Sequence, residues 1–397
     1  MANRSGTARD EVYLDFAAST PCDPTVVEAM LPYLACHYGN PSNLTHGAGR
    51  RAQAAVETAR EQAAGLVGCR ADEVVWTSGA TEANNLALLG AVRAWSRARG
   101  GARAHVVTAT IEHPSVLAPF QQLEQDGHSV DYVRPGDDGV VTVSDVAEAL
   151  GPSTCLVSLM LVNNELGTVN EVGGVARLCR DRGVLLHCDA TQAVGRIPVR
   201  LPDTPVALLS LSGHKIYGPK GIGVLVRRAW SAARIAPLVR GGGQESGLRA
   251  GTLNVPGIVG FGAAAAVCRA RMAADAEHIG ALRTRLETSL RAHVPRAVVN
   301  GGTAARAPHI SNISFPDGPD DDLVDAVVGV ACASGSACES QDRQPSHVLR
   351  SIGVRGALAR NTLRLSLGRP TSRADVDTVV ERVLDALRRR GQLPPPG

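Results

Sequence analysis

Short apolar runs separated by helix-like stretches recur between residues 73 and 226, and this alternation constrains the fold more than any other feature of the sequence. The runs stand at 73–77, 105–109, 129–133, 155–162, 184–188, 206–211 and 223–226. Helical patterning fills 81–97, 115–125 and 172–182 between them, after earlier helices expected at 24–34 and 49–67. Apolar strands joined through helices predict an α/β fold, with a mainly parallel sheet covered by helices on both faces. Such sheets hold ligands beyond the carboxyl ends of their strands. The polar residues just after each run are therefore the first candidates for chemistry.

A glycine-rich loop at 240–252 and an Ala-rich helix at 255–293 follow the last run. A chain of 397 residues exceeds one small core and suits a large domain plus a smaller one. The expected division is a large domain over 12–260 and a small α+β domain over 261–397, joined by the N-terminal segment 1–11. The small domain closes on a helix at 372–390. Aromatic residues make up only 3% of the chain, so Ala, Val and Leu must build most of the core.

Charge and composition exclude several classes. A formal charge of +3, with no long basic run before the C-terminal tail, argues against direct nucleic-acid binding. No apolar stretch reaches the ~20 residues of a membrane span, and Met1 to Asp10 is polar, unlike a signal peptide. Nine cysteines without a CxxC pair or a zinc-site spacing read as reduced, mostly buried thiols of a cytoplasmic protein. No GxGxxG follows a first strand, which speaks against a nicotinamide dehydrogenase.

The 41 Lys and Arg residues include only two lysines, Lys215 and Lys220, both in Ser212-Gly-His-Lys-Ile-Tyr-Gly-Pro-Lys-Gly221. Arg cannot form a Schiff base, whereas a desolvated Lys becomes a nucleophilic amine. Two ordinary surface lysines would look the same in isolation. Other polar residues follow the runs in the same way. Ala80 and Thr81 open a helix after Ser78-Gly79, as a phosphate cradle or an ordinary N-cap. Asp189 ends a run and Gln192 stands three residues on; Asn164, His113, Ser212 and His214 follow others. Together they supply phosphate donors, a carboxylate, a stackable imidazole and an amine, which is what pyridoxal 5'-phosphate needs.

A second cluster is Ala333-Ser-Gly-Ser-Ala-Cys338-Glu-Ser. Cys338 sits among small residues that suit a mobile nucleophile, or it is a loop thiol of no consequence. Cys332 closes the preceding apolar run and reads as buried. Arg364 is a candidate fork for the carboxylate of an amino acid, or a plain strand Arg.

Over nearly its whole length, from Tyr13-Leu-Asp-Phe-Ala-Ala-Ser-Thr-Pro21 to Leu365-Ser-Leu-Gly-Arg369, the chain resembles the cysteine desulfurases of the NifS/IscS type. These are fold type I pyridoxal phosphate enzymes with a seven-stranded sheet, grouped with the class V aminotransferases. The resemblance is carried by Thr77-Ser-Gly-Ala-Thr-Glu-Ala-Asn-Asn85, Val162-Asn-Asn-Glu165, Asp189-Ala-Thr-Gln192 and Ser212-Gly-His-Lys215. Gly241-Gly-Gly-Gln-Glu245, Arg249-Ala-Gly-Thr252 and Ser334-Gly-Ser-Ala-Cys338 complete it. It implies that Lys215 is the Schiff-base lysine and proton shuttle, Asp189 the partner of the pyridinium and Gln192 the donor to the ring's phenolic oxygen. His113 would stack on the ring, and Ala80, Thr81, Ser212 and His214 would bind the phosphate. Asn164 and Arg364 would contact the substrate, L-cysteine, and Cys338 would carry the persulfide. Thr252 would reach the phosphate of the neighbouring subunit, which implies a homodimer.

The Pro-rich end stands where housekeeping members carry an extension that engages an iron–sulfur scaffold. The sulfur acceptor is therefore left open among such a scaffold, tRNA or DNA thiolation, a thio-cofactor and a natural product. A selenocysteine lyase or C–S lyase on the same fold remains an alternative, as does a non-catalytic scaffold.

Overall fold

The computed structural model describes residues 11–231, 234–334 and 346–394. Strand β1 (Val12–Tyr13) and helices α1 (Pro24–Ala35) and α2 (Gly47–Val67) lead into the alternating region. There β2 (Val74–Thr77), α3 (Ala80–Arg97), β3 (His105–Ala109), α4 (Pro114–Gln125) and β4 (Ser129–Val133) follow one another. Next come α5 (Val143–Ala149), β5 (Thr154–Ser158), α6 (Val172–Asp181), β6 (Leu185–Asp189), β7 (Leu208–Ser212) and β8 (Gly223–Arg227).

These strands form one seven-stranded sheet in the order β2-β8-β7-β6-β5-β3-β4. The pairs β3–β4, β3–β5, β5–β6 and β6–β7 are parallel, whereas β8 runs antiparallel to both β7 and β2. The turn from β7 to β8 contains no crossover helix, so the chain doubles back, and a parallel neighbour would require such a crossover. The sheet is thus mainly parallel, with one reversed strand. The apolar run at 155–162 leaves regular pairing after Ser158. Leu159 and Leu161 still donate to the carbonyls of His187 and Asp189 at 3.1 and 3.0 Å, but the Met160 N–H turns to the Glu112 carboxyl at 2.6 Å.

Helix α7 (Val255–His293) is followed by β9 (Val298–Val299), β10 (Ile310–Ser314), α8 (Leu323–Ala326) and β11 (Val330–Ala331). The chain then forms α9 (His347–Ser351), α10 (Gly356–Arg360), β12 (Thr362–Ser366) and α11 (Arg373–Arg389). Strands β12, β10 and β9 make a three-stranded antiparallel sheet, and β1 pairs with β11. Among the described residues α7 is the one helix long and apolar enough to cross a membrane by length and composition. Here it serves two cores. Ile258, Phe261 and Ala265 pack in the core under the large sheet, while Ile279, Leu282 and Leu286 pack with Leu14, Phe315 and Leu365. The N-terminal segment therefore joins the second core through Leu14, and this brings it across the carboxyl ends of the large sheet's strands.

Candidate active site

The strand ends and the N-terminal segment enclose a cavity of about 460 Å3. Ala80, Thr81, His113, Asn164, Asp189, Gln192, Ser212, His214, Lys215 and Arg364 all line it, as do Ala17, Ala18 and Ser19. Residues from five strand ends and from the far strand β12 thus converge on one space.

At one wall, α3 begins at Ala80 with Gly79 as a cap that offers no side chain. The first-turn N–H groups of a helix have no intrahelical acceptor and attract an anion. Ser78 N–H donates to Glu82 at 2.7 Å, and Arg249 pairs with the same carboxylate at 3.0 Å. Burial tends to raise the Glu82 carboxyl, but these donors outweigh it and hold the group below its ordinary range. The turn is packed closely from beneath. A Cβ on Gly223 of β8 would come within 2.6 Å of the Gly79 Cα.

Asp189, at the end of β6, is buried and twice hydrogen-bonded. Its Oδ1 accepts from the Thr191 N–H and its Oδ2 from Asn84 Nδ2, both at 2.9 Å. Asn84 Nδ2 also donates to Ser115 Oγ at 2.9 Å. His113 caps α4, which has Pro114 at its first position, and the Ser115 N–H donates to its Nδ1 at 3.1 Å. With Nδ1 accepting, the neutral ring carries its proton on Nε2. Burial lowers the His113 pKa against the opposing pull of Asp189.

Lys215 follows β7 in a one-turn helix, and its ammonium donates to the carbonyls of Ala17 and, at 2.7 Å, Ala18. The same Ala17 carbonyl accepts from Gln192 Nε2 at 2.8 Å. Buried His309 lies 3.1 Å from Gln192 Oε1, which orients the amide. Thr20 braces the lysine turn from above, donating to the His214 carbonyl and accepting from the Tyr217 N–H, each at 2.9 Å. Burial, with help from Lys215 and Lys220, pushes His214 down to about 4.

On the opposite side Arg364 is buried, donating to Asp15 Oδ1 at 2.9 Å and to the Asn164 carbonyl at 3.0 Å. Asn164 Oδ1 and Thr191 Oγ1 are buried without a partner among the described residues, and both belong to cavity-lining residues. Unsatisfied polar atoms of this kind mark a place for a polar ligand. A helix N-terminus, a fixed carboxylate, a neutral imidazole and an amine in one cavity suit a phosphorylated pyridine aldehyde.

One of the expected site residues stands apart. Thr252 is exposed and does not line the cavity. Cys338 lies outside the described residues. Cys332 is half-buried, and burial pushes its thiol up to about 12, so it is a poor thiolate. Sequence reasoning assigned no role to Asp15, Asn84, Ser115, Glu112 or His309. Asp15 and Asn84 lie inside the motifs at 13–21 and 77–85, and Asn84 is the polar residue on the otherwise apolar buried face of α3. That was a usable signal.

The aminotransferase class-V family matches residues 12–379. A cysteine desulfurase IscS of Anaeromyxobacter sp. (strain Fw109-5) is 44% identical over 384 residues, covering 97% of this chain and 94% of the relative. The solved structure of a NifS-like protein aligns with a TM-score of 0.86 at 32% identity, over 95% of this chain and 99% of that one. SspA, solved in complex with cysteine, aligns with a TM-score of 0.79 at 36% identity, over 90% of this chain and 98% of that one. The fold and the site define a fold type I pyridoxal phosphate enzyme. Within that class the chain belongs to the cysteine desulfurases of the class-V aminotransferase family.

Proposed function

We propose that this cavity converts L-cysteine to L-alanine, with Lys215 moving the proton and Cys338 receiving the sulfur. The observation that carries the reading is the convergence of Lys215, Asp189, His113 and the first turn of α3 on one cavity. Cysteine is also what SspA holds in the solved structure to which this chain is similar.

Ala80 and Thr81 N–H groups, with Ser212 and His214, would hold the cofactor's phosphate. Asp189, kept in place by Asn84 and Thr191, would hold a proton on the ring nitrogen. Gln192 would hold the ring's phenolic oxygen, and His113 would pack against the ring. When bound, pyridoxal phosphate supplies an electron sink for the pair left at the substrate's α-carbon. Arg364 and Asn164 orient the substrate's carboxylate. Lys215 takes the α-proton and later returns a proton to the carbon skeleton.

The Cys338 thiolate attacks the substrate sulfur. An S–S bond forms as the Cβ–S bond breaks, and the electron pair of that bond stays with the three-carbon fragment. Protonation of that fragment yields L-alanine, and the sulfur remains on Cys338 as a persulfide for an acceptor protein. Thr252, exposed on its own chain, reaches the phosphate of a second copy in a homodimer. We assign 12–260 to the cofactor domain and 261–397 with 1–11 to the small domain that carries Cys338, with Leu14 crossing over to pack in the small domain's core. We place the enzyme in the cytoplasm, a reading supported by the eight free thiols among the described residues.

Product analysis tests this reading. Purified enzyme given L-cysteine and a reductant releases alanine and sulfide in equal amounts, whereas pyruvate in place of alanine would show a β-elimination lyase.

A further inference from the structure

Arg364 and Asp15 form a buried ion pair from opposite ends of the chain. The Arg364 side chain is 2% exposed and Asp15 is 18% exposed. Of the five N–H donors on a guanidinium, one goes to Asp15 Oδ1 and one to the Asn164 carbonyl. Nε is buried without a partner among the described residues. Arg364 lines the cavity, but Asp15 does not.

We propose that Asp15 is a positioning residue that presents Arg364 to the α-carboxylate of the substrate. This rests on the reading of Arg364 as the carboxylate fork. An Arg side chain has several rotatable bonds, and tethering two of its nitrogens fixes the guanidinium while three of its five N–H donors remain for a planar carboxylate. Before substrate arrives the buried cation also needs a counter-charge, which Asp15 supplies.

The tether is itself held. Asp15 bridges to Ser366, its carbonyl accepts from the Tyr13 hydroxyl at 3.0 Å, and the Ala17 N–H donates to Ser366 Oγ at 2.9 Å. Arg364 and Ser366 are two apart on β12 and share one face of the strand. One strand therefore carries the guanidinium and also fixes the segment that aims it. That segment continues into Ala17 and Ala18, whose carbonyls hold Lys215. The carboxylate and amine ends of the substrate site are set by one stretch of backbone.

The test compares Asp15→Ala, Asp15→Asn and Arg364→Lys holoenzymes. It reads kcat and KM for L-cysteine, and the dissociation constant of cysteamine, which lacks the carboxylate. Loss of ground-state positioning raises KM and spares kcat. Asp15→Ala raises KM about tenfold or more, changes kcat by less than about threefold and leaves cysteamine binding unchanged. Asp15→Asn, whose amide oxygen still accepts from Arg364, raises KM only about two- to fivefold. It decides the question alone if the alanine variant does not fold. A wild-type KM in either Asp15 variant overturns the proposal, as does equal weakening of cysteamine and L-cysteine. A wild-type KM in Arg364→Lys overturns the fork reading itself.

Discussion

Asn84 Nδ2 donates to Asp189 Oδ2 at 2.9 Å, so the helix whose first turn forms the anion end of the cavity also holds the carboxylate that closes β6. The same amide nitrogen reaches Ser115, which fixes the His113 ring. One fully buried side chain thus links the first turn of α3, Asp189 and His113. Replacing it with alanine leaves Asp189 with a single donor. Asn84→Ala should weaken cofactor binding about tenfold, in line with about 1–3 kcal/mol for an unsatisfied buried partner. Fluorescence titration of the apoenzyme with pyridoxal phosphate measures this.

Gly223 offers a purely steric test of the same cradle. A methyl group there meets the Gly79 carbonyl carbon at 2.5 Å and the Leu211 oxygen at 2.7 Å, and both are backbone. Gly223→Ala should cost about 1–3 kcal/mol of stability. It should also weaken phosphate binding, because the turn before Ala80 must move. Thermal melts with and without added cofactor separate the two effects.

The two lysines differ in place as well as in sequence. Lys215 is half-buried against the Ala17 and Ala18 carbonyls, whereas Lys220 is exposed at the cavity's edge. After borohydride reduction, mass spectrometry should find the cofactor attached to Lys215 in wild-type enzyme and in Lys220→Ala. Lys215→Ala should carry none.

Stability should fall as the pH drops from about 6.5 toward 4. Burial pushes His187 down to about 4, between Ser158 Oγ at 2.8 Å and Ser210 Oγ at 2.9 Å, and it drives His309 well below its ordinary value. Unfolded histidines protonate near 6.5. The unfolded chain therefore binds more protons in this window, and the contribution is fully present only above it. For His187 the slope approaches about 1.4 kcal/mol per pH unit. Urea midpoints across this range should decline more gently in His187→Gln. Glu112 acts in the opposite sense. Burial raises its carboxyl well above the ordinary range, so its contribution is lost as the pH rises. Glu112→Gln should therefore stabilise the protein at pH 8.

The sheet, its helices and most of the cavity wall were legible in the sequence for identifiable reasons. Buried parallel strands leave unbroken apolar runs, and their ends supply side chains that carry chemistry. The reversal at β8 left no mark beyond a turn without a helix. The shortening of β5 depends on Glu112, a residue 48 positions away that takes the Met160 N–H. The largest omission was the N-terminal segment, because Ala17 and Ala18 act through backbone carbonyls that any residue possesses. Asp15 acts only through Arg364, 349 residues on. Contacts of that separation are set by folding and carry no local pattern.

The most direct measurement is a single turnover with L-cysteine in the absence of reductant, followed by alanine analysis and mass spectrometry of the Cys338 peptide. Wild-type enzyme should form one alanine per site and add one sulfur atom to Cys338. Cys338→Ala should bind cofactor and L-cysteine but form no alanine. Undiminished alanine formation by that variant would contradict the account.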